Sequence, residues 1–145
     1  LIVRWPNHIK ANAETDLISA QYDLMATFAQ LVQQSPGHSN GLSLLPTWLG
    51  QKDQQKHQYL YFEYPEKGGQ LAIREGRWKA VKLDLKKNPK AKWQLFDLTT
   101  DPWEENDLAA QYPQMLRHFD EIVQHEHRPA HIQEWEIVAN KMIKK

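Results

Sequence analysis

The sequence predicts an α+β fold: a four-stranded antiparallel sheet is packed by a C-terminal helix and preceded by a strand-plus-helix arm. Three observations lead to this prediction. Apolar and aromatic residues alternate at period two in short runs between residues 59 and 98. Apolar residues recur with helical spacing in residues 15–34 and again after Pro113. The first residues, "LIVRWP", form an apolar run of the kind found in buried strands.

Composition limits the class of protein before any motif is considered. Of 145 residues, 41% are hydrophobic and 25% are charged, which is typical of a soluble globular chain. Lys plus Arg and Asp plus Glu number 18 each, so no basic field favours nucleic acid or an anionic membrane as a partner. Cysteine is absent, which excludes disulfides, thiolate metal sites and a Cys nucleophile but leaves the compartment open.

The N-terminal arm is predicted as a strand followed by a helix. "LIVRWP" ends at Pro6, which has no backbone N–H to donate to a sheet. Because the chain starts on an apolar run without Met or a signal peptide, we expect a fragment of a larger protein. The following helix has three candidate N-caps, Asp16, Ser19 and Asp23. Its apolar residues form two stripes, which predicts burial on more than one side: Leu17, Leu24, Phe28 and Leu31, and Ile18, Met25, Ala29 and Val32.

The middle of the chain is predicted as a sheet. "LSLLPTWLG" is expected to form one helical turn that ends at Gly50, and a polar loop follows over residues 51–58. A hairpin turn is expected at Glu75-Gly76, between two period-two runs. The four predicted strands are residues 59–64, 70–74, 77–83 and 93–98.

The C-terminal third is predicted to cover this sheet with a helix that starts at Pro113. Asp101 and Glu104 are interpreted as turn and cap residues that fix the entry to this helix. Trp78 and Trp93 are expected to pack beneath it. A further amphipathic helix is expected over residues 132–145. The apolar face of the packing helix is Met115, Leu116, Phe119, Ile122 and Val123.

Two polar clusters each allow two interpretations. "HEHRPAH" brings His125, His127 and His131 close in sequence, as in a metal site, but Pro129 breaks the helical register and a solvated helix end is the favoured interpretation. "KLDLKKNPKAK" carries five lysines and is interpreted as a charged hairpin turn, with phosphate binding as the alternative. The lysines are Lys82, Lys86, Lys87, Lys90 and Lys92.

Several segments, in order, resemble the C-terminal region of the formylglycine-dependent sulfatases, an arylsulfatase-like family of the alkaline-phosphatase-type superfamily. The resemblance extends from Leu1 to about Arg128. It depends on four segments that are similar to family motifs in both residues and gaps: "LIVRWPNHIKANAETDLISAQYDLMATFAQL", "NGLSLLPTWLG", "AIREGRWKAVK" and "QLFDLTTDPWEENDLA". Ala26, Asn40 and Asp107 depart from the family pattern at positions that affect caps and turns. The matching positions are Gly41, Ser43, Pro46, Leu49, Gly50, Arg74, Gly76, Trp78, Lys79, Leu95, Asp97, Leu98, Asp101, Pro102, Glu104 and Leu108.

This resemblance implies how the chain is organised. Residues 1–50 would be the last strand and helix of the large sulfatase domain, residues 51–130 a C-terminal antiparallel-sheet subdomain, and residues 131–145 a tail. The parent enzyme would use formylglycine and a calcium ion. Neither Ser35 nor Ser43 begins the family's formylglycine motif, so no catalytic, cofactor or metal residue is assigned to this chain.

Five residues are predicted as candidates for the rim of the substrate pocket, because in such enzymes the small subdomain lies against the active-site mouth. Lys67 or Arg74 would meet an anionic group of the substrate, and His57, Glu63 and Glu66 would contact sugar hydroxyls. The alternative is that Arg74 and Glu63 form a cross-strand ion pair and Lys67 is a solvated turn residue.

The sequence therefore predicts the C-terminal fragment of a sulfatase that acts on a sulfated glycan and is inactive alone. Its partners would be the missing N-terminal catalytic domain and, in the parent, the sulfated carbohydrate. The alternative function is a non-catalytic glycan-binding or interaction module. An exposed apolar strand and a helix with two apolar stripes also predict self-association of the fragment. The resemblance suggests a periplasmic or secreted location.

Overall fold

The computed structural model describes residues 1–138, and the chain forms two compact units, Leu1–Gln58 and Tyr59–Lys145. Within the described residues, the first unit contains helices α1 and α2, and the second contains strands β1 to β4 and helix α3. The bounds are Asp23–Leu31 for α1, Leu45–Trp48 for α2, Leu60–Tyr64 for β1, Gln70–Glu75 for β2, Trp78–Lys82 for β3, Gln94–Asp97 for β4 and Pro113–Glu126 for α3.

The first 22 residues form neither a helix nor a strand, so the structure differs from the strand predicted over "LIVRWP". Leu1 and Ile2 are 82% and 97% exposed. A strand satisfies its backbone groups through a neighbouring strand, and the first unit contains none among the residues described. Only a turn forms here, in which the N–H groups of His8 and Ile9 donate to the carbonyl of Trp5.

Helix α1 is shorter than the predicted pattern, and a buried carboxylate fixes its start. The Asp23 carboxylate accepts from the N–H of Ala20 at 2.7 Å, which resembles the return bond of a capping box. It also accepts from the N–H of Leu42 at 2.9 Å. Thr27, one turn later, accepts from the N–H of Leu44 at 2.8 Å. These bonds hold the loop before α2 against the first turn of α1.

The sequence predicts burial of both apolar stripes of α1, and the structure differs from this prediction. Its buried residues are Asp23, Ala26, Thr27 and Ala29, which lie on the side that faces the loop. Three large apolar side chains at positions i, i+3 and i+7 are instead exposed by 63%, 54% and 65%. These three, Met25, Phe28 and Val32, are called the α1 apolar face below.

The second unit is built on an antiparallel meander with strand order β1-β2-β3-β4. Leu71 pairs with Lys82 and Ile73 pairs with Ala80, so these residues share one face of the sheet. That face is covered by α3, which begins at Pro113 as predicted and buries Phe119, Ile122 and Val123. The predicted four-stranded sheet and its packing helix are confirmed. The cluster of buried side chains is Leu71, Ile73, Ala80, Leu85, Trp93, Leu95, Phe119, Ile122, Val123, Ile137 and Val138.

Both predicted tryptophans belong to this core. The Trp93 ring packs edge-on against Phe119 with 6.2 Å between centroids. Trp78 is partly buried against the same cluster and lies 4.8 Å from the ring of Tyr112. Of the helix predicted over residues 132–145, the described part contains a single 3-10 turn, Gln133–Trp135. The rest of that prediction lies outside the described residues.

Candidate functional site

The turn between β1 and β2 carries two of the predicted rim residues. Glu66 and Lys67 are both exposed here, and the Tyr64 hydroxyl donates to Glu66 Oε2 at 3.0 Å. The backbone then runs through three consecutive residues with positive φ, which are 46° at Lys67, 87° at Gly68 and 80° at Gly69. Because this conformation is unfavourable for residues with a Cβ, the two glycines are what allow so tight a turn.

This turn is held from below by a second loop and by the end of the described chain. The N–H groups of Leu85 and Lys86 donate to the carbonyls of Gly69 and Gly68 at 3.0 and 2.9 Å. A Cβ added to Gly69 would lie 2.8 Å from Ile137 Cγ2, so the Ile137 side chain lies directly against the backbone of the turn. Gly68 and Gly69 are therefore held by the loop after β3, and Gly69 also by Ile137.

Glu63 lies just inside the turn and is bound by neighbours rather than fully open to solvent. Its Oε1 atom accepts from the Tyr61 hydroxyl at 2.6 Å and lies 2.9 Å from His127 Nδ1. The Glu63 side chain is 25% exposed, and that of His127 is 1% exposed. The role of Glu63 at the substrate rim stays a prediction. In the structure, Glu63 occupies a hydrogen-bonded position beside the C-terminal end of α3.

Arg74 lies on the opposite face of the sheet from Glu63, so the alternative of a cross-strand ion pair between them is wrong. The register pairs Arg74 with Leu60, and Glu63 with Leu71. The Nε atom of Arg74 is buried and has no hydrogen-bond partner among residues 1–138. Its neighbour on β3, Lys79, is paired with Glu104. Arg74 is thus a half-buried cation on the sheet face that α3 does not cover.

His57, the fifth rim candidate, belongs to the first unit. Its Nε2 atom lies 2.8 Å from Asp23 Oδ1, and its side chain is 11% exposed. The Tyr22 ring packs edge-on against it at 5.8 Å. Because Asp23 also accepts two backbone N–H groups, this arrangement joins the end of the polar loop to α1. Of the five candidates, the structure brings only Glu66 and Lys67 together in one turn.

Tyr59 and Tyr61, which donate to Glu126 and Glu63, both have raised pKa values. Burial, the hydrogen bond to Glu63 and that residue's negative charge raise the pKa of Tyr61 well above its usual range. Burial and a 2.6 Å hydrogen bond to Glu126 raise the pKa of Tyr59 to about 12. The same bond lowers the pKa of the Glu126 carboxyl. Both phenols therefore act as hydrogen-bond donors at neutral pH.

The three histidines of "HEHRPAH" do not share one environment. The favoured interpretation as a solvated helix end is wrong for His127, which is buried, and right for His125, whose side chain is 76% exposed. Among residues 1–138, no group of three His, Asp or Glu side chains is placed to hold a metal ion. No local pattern indicates the partner of His127, because Glu63 lies 64 positions earlier in the chain.

The lysine cluster is also divided by the fold. Lys82 is buried, its Nζ lies 2.9 Å from Asp120 Oδ1, and it stands 4.5 Å from the centre of the Trp93 ring. Asp120 Oδ1 accepts from Trp93 Nε1 as well, at 2.8 Å. Lys82 is therefore part of the packing between β3 and α3. The other four lysines lie in the charged loop between β3 and β4.

The described part of the second unit is an antiparallel sheet packed on one face by α3. Residues 1–128 match the family model described as N-sulphoglucosamine sulphohydrolase, C-terminal. The chain belongs to this sulfatase family. The resemblance seen in the sequence is thereby confirmed.

Two curated relatives come from Bacteroides thetaiotaomicron. An N-acetylgalactosamine-6-O-sulfatase is 31% identical in a match 138 residues long that covers 85% of this chain and 26% of the relative. An N-acetylglucosamine-6-O-sulfatase is 30% identical in a match 114 residues long that covers 74% of this chain and 20% of the relative. The chain thus spans about a quarter or less of the length of these relatives.

Solved structures share the fold. A structure from work on glycosaminoglycan metabolism by Bacteroides thetaiotaomicron has a TM-score of 0.67 and 30% identity, with 86% of this chain and 28% of that chain covered. A structure in complex with its substrate D-glucosamine-2-N,6-O-disulfate has a TM-score of 0.64 and 25% identity, with 86% and 27% covered. Within residues 1–138 of the present chain, no helix is long and apolar enough to cross a membrane.

Proposed function

We propose that this chain is the C-terminal part of a longer sulfatase that hydrolyses a sulfate ester on a glycan. The observation that carries the proposal is the family match over residues 1–128, combined with the small share of each relative that the chain covers. The relatives are named for 6-O-sulfated amino sugars. A 6-O-sulfated hexosamine is accordingly the first substrate class to test.

The role of the chain in that protein is support of the fold and of the substrate-pocket rim. The residues present do not fit the family's reactive groups. Cys is absent, Ser35 and Ser43 lack the formylglycine motif, and residues 1–138 contain no three-carboxylate or histidine cluster for a cation. Formylglycine and calcium would be held by the rest of the protein, and the chain alone would be inactive.

The rim is proposed at the turn of residues 65–69 and at Arg74. Lys67 is exposed on a turn whose backbone is fixed, and a fixed cation suits a sulfate or carboxylate group. Arg74 offers a guanidinium whose Nε has no partner among the described residues. Glu66 and Glu63 would accept from sugar hydroxyls. His57 remains a candidate, although its Nε2 is bound to Asp23.

The test compares the chain with the longer protein that carries it. Both are assayed for sulfate release from N-acetylgalactosamine-6-sulfate and N-acetylglucosamine-6-sulfate. We expect release by the longer protein and none by the 145 residues alone. Sulfate release by the chain alone, or an inert longer protein across a panel of sulfated sugars, would contradict the proposal.

The second candidate function is a non-catalytic module that binds a glycan or another protein. Six Trp and five Tyr favour it, since aromatic rings can line a sugar site. Calorimetry of the isolated chain with sulfated and unsulfated oligosaccharides separates the two, because only this alternative predicts binding without the rest of the protein. A periplasmic or secreted location is part of the first proposal, and cell fractionation tests it.

A further inference from the structure

His127 is buried between two carboxylates that come from distant parts of the second unit. Its Nδ1 lies 2.9 Å from Glu63 Oε1 on β1, and its Nε2 lies 3.3 Å from Glu136 Oε1 near the end of the described chain. The second contact is an ion-pair distance whose geometry falls short of a hydrogen bond. Glu63, His127 and Glu136 are called the His127 clasp below.

Each ring nitrogen of His127 faces a carboxylate oxygen, and Nδ1 lies within hydrogen-bond distance of Glu63 Oε1. Other donors fix both carboxylates: the Tyr61 hydroxyl donates to Glu63, and the N–H groups of Ala130 and Val138 donate to Glu136 at 3.1 and 3.0 Å. The buried ring is thereby held from both sides.

The clasp anchors a segment that contacts the β1–β2 turn. Directly after Glu136, the side chains of Ile137 and Val138 enter the hydrophobic core and are 5% and 1% exposed. Ile137 lies so close to Gly69, the last residue of the turn, that a Cβ added there would be 2.8 Å from Ile137 Cγ2. A series of contacts therefore connects His127 through Glu136 and Ile137 to the turn that carries Glu66 and Lys67.

We propose that His127 is a positioning residue: the His127 clasp holds the C-terminal segment against the β1–β2 turn and so sets where Glu66 and Lys67 meet the sulfated sugar. The last step rests on the function proposed above, whereas the mechanical step does not. His127 itself contacts no substrate, because its side chain is buried.

Two substitutions act on the Glu136 arm of the clasp. His127→Asn keeps a polar side chain near Glu63 and removes the ring nitrogen that faces Glu136, while Glu136→Gln keeps the volume and removes the charge. Amide hydrogen exchange is measured at Gly69, Leu85 and Lys86, whose N–H groups bond within and beneath the turn. We expect about tenfold faster exchange there in both variants, with the amides of β3 unchanged.

The matched control is His125→Asn, which changes an exposed histidine two residues away. It should leave all of these amides as they are. Unchanged exchange at the turn in both clasp variants would overturn the proposal. Equal acceleration at the turn and in β3 would also overturn it, because the clasp would then contribute only to global stability.

Kinetics of the longer protein test the functional step. For a 6-O-sulfated hexosamine, His127→Asn should raise KM about tenfold and change kcat by less than about twofold, since a misplaced rim weakens binding and leaves the reactive groups in place. A fall in kcat with KM unchanged would contradict this. If the unmodified longer protein releases no sulfate, the function proposed above fails, and the exchange experiment still decides the mechanical step.

Discussion

Asp101 illustrates what a single side chain contributes in this fold. Its two carboxylate oxygens accept from the N–H groups of Glu105 and Asn106 at 3.0 and 2.8 Å, and they close the turn that leads toward α3. These hydrogen bonds, from Asn106 first and Glu105 second, lower the pKa of the Asp101 carboxyl. Asp101 therefore closes a turn, as predicted, but it does not cap α3, whose N-cap is Tyr112 and has no side-chain cap hydrogen bond. The pKa of Asp101 reports on whether this turn is formed.

The first prediction concerns the acid stability that Asp101 provides. Because the folded pKa is lower than the unfolded value of about 3.9, the carboxylate stabilises the fold above that pH and loses this contribution as pH falls through the folded pKa. Asp101→Asn should therefore flatten the decline of unfolding free energy below about pH 4. Urea titrations of the chain at several pH values measure this, with the exposed Asp53→Asn as control. Parallel pH profiles for all three proteins would count against it.

The second prediction concerns Tyr59 and Glu126. The phenol of Tyr59, with its pKa raised to about 12, should stay protonated at pH 11, where an unperturbed tyrosine is ionised. Glu126→Gln removes the negative charge and keeps a hydrogen-bonding side chain, so the pKa of Tyr59 should fall toward 10. Absorbance at 295 nm during a base titration follows this change, with Tyr59→Phe to assign the signal. An unchanged titration curve in Glu126→Gln would refute the assigned cause.

For single residues, a role that depends on nearby positions in the chain could be predicted from the sequence, and a role that depends on a distant partner could not. Asp101 and Pro113 act within a few residues of themselves, so their roles could be recognised from the sequence. His127 stands in a polar cluster that indicates a solvated helix end, yet it is buried between the carboxylates of Glu63 and Glu136. The local pattern does not indicate a partner 64 positions away, because the register of the sheet and the placement of α3 determine which residue lies beside His127.

The β1–β2 turn shows how one element depends on residues with no side chain. Gly69 and Gly76 both have positive φ, at 80° and 55°. They differ in surroundings: a Cβ at Gly69 would meet Ile137 at 2.8 Å, whereas one at Gly76 would meet nothing within 4 Å. Comparing an added Cβ at these two positions therefore separates the cost of the backbone conformation from the cost of close packing.

The third prediction uses this pair. Gly76→Ala should cost about 1 kcal/mol of unfolding free energy, the penalty for a left-handed backbone with a Cβ. Gly69→Ala should cost about 2–4 kcal/mol, because Ile137 or the turn must also move. Denaturant unfolding of both variants measures the two values. Equal losses would mean that the contact between Ile137 and the turn contributes nothing.

The elements that were predicted well are those whose partners lie nearby in the chain. Each strand of the meander pairs with its sequence neighbour, so period-two patterns and turn residues define it almost completely. "LIVRWP" has the same apolar character, but among the described residues of its unit no strand lies beside it to accept its hydrogen bonds. A pattern predicts a tendency, and a sheet forms only where a second strand is present.

The whole molecule leaves an apolar surface that its own described residues do not cover. The α1 apolar face consists of Met25, Phe28 and Val32, each more than half exposed. Soluble proteins seldom leave several large apolar side chains together in water unless another surface covers them. In the proposed longer sulfatase, the rest of the protein would provide that cover, and in the isolated chain a second copy would.

The fourth prediction follows from this difference and concerns one measurement on each protein: self-association of the chain and stability of the longer protein. Phe28→Gln should weaken self-association of the 145-residue chain, measured by sedimentation over a range of concentrations, because it removes apolar area from the face. The same change should destabilise the longer protein by about 1–3 kcal/mol, since a polar group would then be buried without a partner. Gln30→Ala, an exposed position on the same helix, should do neither. The prediction would be wrong if the chain stays monomeric at high concentration and the longer protein tolerates Phe28→Gln. In that case the α1 apolar face would be exposed to water in both proteins and would contact neither a second copy nor the rest of the longer protein.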